Sequence, residues 1–163
     1  VGRDVLPVPE AYILDDVAVV PGLDGRKMSK SYDNTIGIFD KGKTLKKKVM
    51  NIVTDSTPLG EPKDPATDNV FGLISLFADT ETRERIAAAY EAGGYGYGHA
   101  KKELLKLIND RFGEAGERRC ELAENPDFVI DVLRAGAAKG RARAKEMMIE
   151  VRDSLGLITT SRS

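Results

Sequence analysis

The apolar positions change period near residue 40. Before it, Tyr12-Ile13-Leu14 and Val17-Ala18-Val19-Val20 are short apolar, partly β-branched runs that stop at Pro21-Gly22, which predicts one or two strands ending in a turn. Beyond it the spacing is helical. Leu45, Val49, Ile52 and Val53 share one face of a helix, with Asp40 as the predicted N-cap and Lys46, Lys47 and Lys48 turned largely to water. Pro58, Pro62 and Pro65 disfavour helix and predict a loop from Ser56 to Thr67. Asp68 or Asn69 then caps a helix that buries Val70, Phe71, Ile74 and Phe77, and Asp79 or Thr80 starts another that ends near Tyr90.

The run Gly93-Gly94-Tyr95-Gly96-Tyr97-Gly98 predicts a compact break, after which Ala100, Leu104, Ile108 and Phe112 recur on one helical face until a stop at Gly113. A helix through Cys120 ends at Asn125, where Asn125-Pro126 supplies an N-cap followed by proline at the first helical position. Phe128, Val132 and Leu133 are the predicted core face of the helix that follows. A last helix turns Ala144, Met148, Val151 and Leu155 inward and stops at Gly156, with Leu157 closing a hydrophobic cap. Short connections between helices predict antiparallel neighbours. The expected fold class is mainly α, a short strand and loop followed by an antiparallel helical bundle.

Composition narrows the chemistry. With 163 residues, 41% hydrophobic and 31% charged, the chain has material for one modest core. Lys plus Arg number 25 against 26 Asp plus Glu, so no whole-domain positive field attracts nucleic acid or lipid, and anion recognition must come from local clusters. Cys120 stands alone, which rules out an internal disulfide and a cysteine-rich metal site and fits a reducing, cytoplasmic compartment. No apolar run approaches the roughly 18 residues of a membrane helix. The acidic residues between Glu114 and Asp127 are interspersed with Arg118 and Arg119 and read as a solvated face, so no metal site is expected. The opening Val1-Gly2-Arg3, without an initiator Met and close to a strand-like segment without partners, reads as a cut.

The densest candidate chemistry lies between Gly22 and Asn34. This polar segment carries Arg26, Lys27 and Lys30, two glycines that let the backbone approach a ligand, and the hydroxyls of Ser29 and Ser31. Such a segment suits phosphate. At an effective dielectric of about 20, one ammonium ~4 Å from a phosphate oxygen contributes on the order of 4 kcal/mol before desolvation. A solvated basic loop has the same composition, and composition alone leaves the two readings level.

Lys27-Met28-Ser29-Lys30-Ser31 is an unaltered match to the Lys-Met-Ser-Lys-Ser signature of the class I aminoacyl-tRNA synthetases. The wider stretch from Pro21 to Ile36 resembles the tryptophan branch of that family more than the tyrosine branch. So do Asp68-Asn69-Val70-Phe71, Gly94-Tyr95-Gly96-Tyr97-Gly98 with Lys101-Lys102, and Gly136-Ala137-Ala138-Lys139 through Val151-Arg152 and Gly156-Leu157. The resemblance covers nearly the whole chain. It implies that residues 1–39 are the C-terminal remnant of a Rossmann-type catalytic domain and residues 40–163 a helical, anticodon-binding-like domain.

It also implies an activity in two steps: the carboxylate of tryptophan attacks the α-phosphate of ATP, held with Mg2+ as a substrate complex, and tRNA(Trp) then takes the aminoacyl group. Lys27 and Lys30 would stabilise the departing pyrophosphate as positioned charges, without proton transfer or covalent catalysis. Met28, Ser29 and Ser31 would complete the ATP-binding set through backbone and hydroxyl contacts, and Gly22 and Gly25 would serve as hinges of the loop. The partners implied are ATP, tryptophan, tRNA(Trp) and a second copy of the full-length chain. The family's His-Ile-Gly-His-type signature is missing, and the single histidine, His99, lies near a predicted helix start, where it reads as exposed or capping. The chain alone is therefore expected to be inactive.

Three competing patterns remain. Gly37-Ile38-Phe39-Asp40-Lys41-Gly42-Lys43-Thr44 satisfies the P-loop expression, but no buried strand feeds it, and it reads as a helix N-terminus. Lys139, Arg141, Arg143 and Lys145 suggest a non-catalytic tRNA-binding module, although residues two apart on a helix point in different directions, so that only Lys139 with Arg143, and Arg141 with Lys145, share a side. Tyr95 and Tyr97 could stack bases, but read as packing over a helix junction with their hydroxyls wet.

Overall fold

The computed structural model describes residues 6–14 and 19–157. Among them lie five helices: α1 (Gly42–Met50), α2 (Asn69–Ser75), α3 (Thr80–Ala92), α4 (Tyr97–Glu124) and α5 (Pro126–Ser154). The caps explain most of the starts. Asp68 accepts a hydrogen bond from the Phe71 N–H, Asp79 from that of Thr82, and Asn125 from that of Phe128 with Pro126 next in line, each satisfying an amide that the first helical turn leaves without a partner.

Two compact units emerge. The first, Ile13–Arg119, holds the lysine loop and the helices α1 to α3 with most of α4. Leu45, Val49 and Ile52 meet Val70, Leu73 and Ile74 of α2, Ile86 and Tyr90 of α3, and Ala100, Leu104 and Ile108 of α4 in one core, each at most 5% exposed. Burying side chains of this size stabilises the fold by about 1.5–3 kcal/mol each, which makes this cluster the main source of order. Phe71, Phe77 and Phe112 pack around it, Phe77 edge-on to Phe112 with ring centroids 5.9 Å apart. The second unit, Val1–Tyr12 with Cys120–Ser163, contains α5.

Several expectations are corrected. Tyr12, Ile13 and Leu14 form no strand and are exposed, while Val17 and Ala18 lie outside the described residues. The sole extended pairing among the described residues is a single antiparallel bridge between Pro21 and Lys27. A strand needs neighbours for its amides and carbonyls, and Tyr12 to Leu14 pair with no strand among the described residues. Asp40 does not cap α1: Lys41 holds the cap position and its side chain makes no capping bond, and the Asp40 carboxylate accepts instead from the Gly37 N–H at 2.8 Å and Lys48 Nζ at 2.7 Å. Because α1 ends at Met50, Val53 leaves the helical face and its side chain is exposed.

Gly113 does not stop α4, which runs on through Gly116 to Glu124. A glycine inside a helix costs about 1 kcal/mol against alanine, and the packing of Ile108 and Phe112 on the core holds the helix across it. The two helices predicted after Asn125 are one: α5 passes through Gly136 and Gly140 without interruption. Phe128, Val132, Leu133, Met148 and Leu155 are exposed rather than core, and α5 has no buried residue. Its end is as predicted in backbone terms, with Gly156 left-handed at φ +69° and the Leu157 N–H bonded to the Arg152 carbonyl at 2.9 Å, though the Leu157 side chain stays exposed.

Candidate functional site

The lysine loop is tied around Asn34. This residue is 2% exposed, and each end of its carboxamide is used: Oδ1 accepts from the Ser29 N–H at 2.8 Å, while Nδ2 donates to Asp24 Oδ1 at 2.7 Å and to the Lys27 carbonyl at 3.2 Å. Its backbone carbonyl accepts from the Leu23 N–H at 2.9 Å. One buried amide thus sets both flanks of the Lys27 to Ser31 segment. Inside the knot, Gly22 N–H reaches the Arg26 carbonyl at 2.7 Å and Met28 N–H the Val20 carbonyl at 2.8 Å. The Ser29 hydroxyl accepts from the Ser31 N–H and caps a short 3-10 helix, Lys30–Tyr32, closed by Asp33 in a left-handed conformation.

The two glycines proposed as hinges have a packing role that the geometry makes plain. A β-carbon on Gly22 would lie 2.2 Å from Asn34 Nδ2, and one on Gly25, whose φ is +80°, would lie 2.6 Å from Asn69 Nδ2. Asn69 in turn donates to the Val53 carbonyl at 3.0 Å, and the Val53 N–H donates to the Leu23 carbonyl at 2.8 Å. Val53 therefore staples the base of the loop to the segment that leaves α1.

Charge within the loop is graded. Asp24 pairs with Arg26 through Nε at 2.7 Å and Nη2 at 2.6 Å, and Arg26 also lies over the Tyr32 ring at 4.6 Å. The hydrogen bond from Asn34, with Arg26 adding to it, holds the Asp24 carboxyl below the ordinary carboxylate range against a smaller opposing effect of desolvation. Arg26 is thereby occupied within the loop. Lys27 and Lys30 are exposed and make no ion pair among the described residues, whereas Met28 between them packs against the core. The amides of Met28, Ser29 and Ser31 are bonded within the loop, so this conformation does not offer the free backbone donors expected of them. Of the donors expected to meet an anion, the Lys27 and Lys30 ammonium groups and the Ser31 hydroxyl belong to exposed residues.

Elsewhere the candidates separate. The segment Gly37 to Thr44 is a turn closed by Asp40 and the first turn of α1; the strand that a P-loop requires is absent among the described residues, and Lys43 points to solvent from α1. Lys139 and Arg143 are exposed on α5, where Arg143 pairs with Glu146 at 3.5 Å. Tyr95 and Tyr97 pack against Tyr90 with centroids 5.8 and 6.1 Å away. Tyr97 donates to Asp55 at 2.5 Å, but the Tyr95 hydroxyl is buried, a correction to the expectation that both stay wet. His99 is exposed in the first turn of α4, its ring 5.7 Å from that of Tyr95. Asn34, Asn69 and Lys101 had no signal in composition. Asn34 and Lys101 matter through burial and Asn69 through its bond to the Val53 carbonyl, which only the assembled fold reveals.

Residues 1–113 match the family described as tRNA synthetases class I (W and Y). The tryptophan–tRNA ligase of Fusobacterium nucleatum is 48% identical over 96% of this chain, and that of Campylobacter jejuni is 46% identical over 94%. The crystal structure of tryptophanyl-tRNA synthetase from Campylobacter jejuni complexed with ADP and tryptophan superposes with a TM-score of 0.80 at 46% identity, covering 94% of this chain. In each case the chain spans 48% of the relative's own length, about half. A buried asparagine that shapes an exposed two-lysine loop, a family match over most of the sequence and a shared fold lead to one assignment: the chain belongs to the class I tRNA synthetases of the tryptophan and tyrosine group.

Proposed function

We propose that this chain supplies the ATP-phosphate loop and helical region of a tryptophan–tRNA ligase, an enzyme of the cytoplasm that activates tryptophan with ATP and transfers it to tRNA(Trp). The observation that carries the reading is the loop itself, in which Lys27 and Lys30 make no ion pair among the described residues and stand on a backbone fixed by Asn34. In the first step a tryptophan carboxylate oxygen bonds to the α-phosphorus of ATP, the bond to the bridging oxygen of the pyrophosphate breaks, and pyrophosphate leaves with the electron pair. Lys27 and Lys30 stabilise the negative charge that grows on it, an electrostatic contribution that works because the donors are positioned before the charge develops. Mg2+ enters with ATP as part of the substrate. In the second step the ribose hydroxyl of tRNA takes the aminoacyl group and AMP departs.

Residues 1–39 then complete a Rossmann-type catalytic domain, and residues 40–163 form the helical part, antiparallel in the whole enzyme, that faces the tRNA anticodon arm; the enzyme works as a homodimer. One lysine loop cannot hold both reactants, so the isolated chain is inactive in this reading. Support comes from the unaltered Lys-Met-Ser-Lys-Ser run and from relatives that are tryptophan–tRNA ligases. A chimera tests it, with this chain replacing the corresponding half of the Fusobacterium nucleatum ligase. It should support tryptophan-dependent ATP–pyrophosphate exchange, and Lys27→Ala or Lys30→Ala should each lower the rate by about 10²–10³-fold, the loss typical for removal of one preorganised charge-stabilising donor. A chimera that binds tRNA and folds but shows no exchange would leave a non-catalytic tRNA-binding module as the surviving account.

A further inference from the structure

Lys101 is a buried lysine that no step of the proposed reaction uses. It rises from α4, is 9% exposed, and directs Nζ at the carbonyl of Met50 at 2.9 Å and of Ile52 at 2.7 Å. These carbonyls stand at the end of α1, where helical geometry leaves oxygens without intrahelical partners and where a positive charge is favoured. The residue that follows is Val53, whose N–H holds the Leu23 carbonyl and whose carbonyl is held by Asn69, the side chain lying against Gly25. Leu23 is bonded to Asn34, and Asn34 to Ser29 and Lys27. An unbroken series of short polar contacts thus runs from the beginning of α4 to the loop that presents Lys27 and Lys30.

We infer that Lys101 is a positioning residue for the lysine loop: by holding the end of α1 it fixes the Val53 staple on which the base of the loop is registered. Burial makes this an unfavourable place for an ammonium group, and desolvation lowers the Lys101 pKa from its ordinary value, against a smaller opposing effect of Asp68. An apolar side chain would fill the same space without that cost. What it would lack is a donor able to hold two carbonyls on a segment that is otherwise an irregular link between α1 and the loop of residues 54–67. The functional meaning rests on the phosphate-loop reading; the mechanical claim does not.

The test is hydrogen exchange, read by mass spectrometry, on this chain carrying Lys101→Met, compared with Ile86→Val, a core change in α3 that touches no polar contact of the loop. Exchange across residues 20–34 should accelerate at least about tenfold in Lys101→Met while residues 80–92 keep their protection, because loss of the latch opens one region and not the whole fold. Equal acceleration in both regions, or none beyond that of Ile86→Val, overturns the assignment. Should Lys101→Met not fold, Lys101→Gln carries the same comparison with a shorter donor that cannot span both carbonyls. In the chimeric ligase, Lys101→Gln should raise KM for ATP more than it lowers kcat. A loop loosened in exchange within a chimera that never catalysed pyrophosphate exchange would sustain the latch and sink the phosphate reading.

Discussion

The carboxamide of Asn34 lies so close over Gly22 that a β-carbon there would sit 2.2 Å from Nδ2 and 2.9 Å from the Asn34 backbone carbonyl oxygen. The contact is unforgiving because the neighbour is a 2% exposed side chain held by three hydrogen bonds rather than a flexible tip. Gly22→Ala should therefore cost about 2–4 kcal/mol, combining overpacking with the loss of Asn34's bonds. Urea unfolding monitored by circular dichroism measures it; a midpoint equal to wild type would mean that the loop can shift without penalty.

Asn34→Ala removes the carboxamide over Gly22 but strands the Ser29 N–H and the Lys27 carbonyl. The expected loss is about 2–3 kcal/mol if both groups stay buried, and less if the loop opens to water. The two outcomes differ in protease sensitivity. Opening would free the backbone at the already exposed Arg26, Lys27 and Lys30 for trypsin, so faster cleavage at these sites with a small stability change would identify loop release as the main effect.

Lys43 completes the P-loop expression but sits exposed in the first turn of α1 with no strand ahead of it among the described residues. Lys43→Ala should leave the KM for ATP of the chimeric ligase within about twofold of its value before the change, since a solvated lysine away from the phosphates contributes only screened, long-range attraction. Steady-state pyrophosphate exchange over a range of ATP concentrations decides it. A loss as large as that from Lys27→Ala would restore the P-loop reading.

The pair Asp55 and Tyr97 predicts a plateau of stability. Tyr97's hydrogen bond, ahead of those from Thr57, holds the Asp55 carboxyl below 3.8, so its contribution is present above that pH and is lost as pH falls through the lowered value. Burial first, then the bond to Asp55, pushes Tyr97 up from 10.0 to about 12, so its contribution is present below pH 10 and is lost as pH rises from 10 to 12. Tyr97→Phe should bring Asp55 closer to 3.8 in a carbon-13 titration. Asp55→Asn should lower the Tyr97 value while leaving it above 10.0, since burial, the larger cause, persists. An Asp55 value unmoved by Tyr97→Phe would show that the backbone alone holds the carboxylate.

On α5, Lys139 and Arg143 are separated by one helical turn and both are exposed. If they meet tRNA phosphates, replacing both with alanine should flatten the dependence of log Kd on log salt by about 1 to 2, within the counterion-release range for two contacts. Filter binding of tRNA(Trp) to the chimera at several salt concentrations provides the slope. An unchanged slope would remove both residues from the interface.

Local rules carried much of the fold. Asp68, Asp79 and Asn125 were legible as caps because each needs only its own neighbours, and Ala100, Leu104 and Ile108 were legible because one helical period puts them on one face. Failures arose where another part of the chain overrides a local signal. Gly113 looks like a stop until Ile108 and Phe112 are seen packed on the core, and Asp40 looks like a cap until Lys48 captures its carboxylate. The apolar positions of α5 were assigned to a core that the described residues do not provide. Likewise, the lysines of the site were visible as charge, but Asn34 acts through the folded shape of its own loop, and Asn69 and Lys101 through contacts with other segments that no spacing encodes.

Met28 gives the loop a property that its charges alone would not have. Its side chain packs against the core while Lys27 and Lys30 on either side stand in water. Shifting the backbone that carries the two lysines therefore withdraws a thioether from apolar surroundings, at a cost on the order of 1 kcal/mol for a partly buried side chain. Displacement of the backbone becomes a discrete, activated event in place of a continuum of small excursions, and the two positive charges are carried along with it.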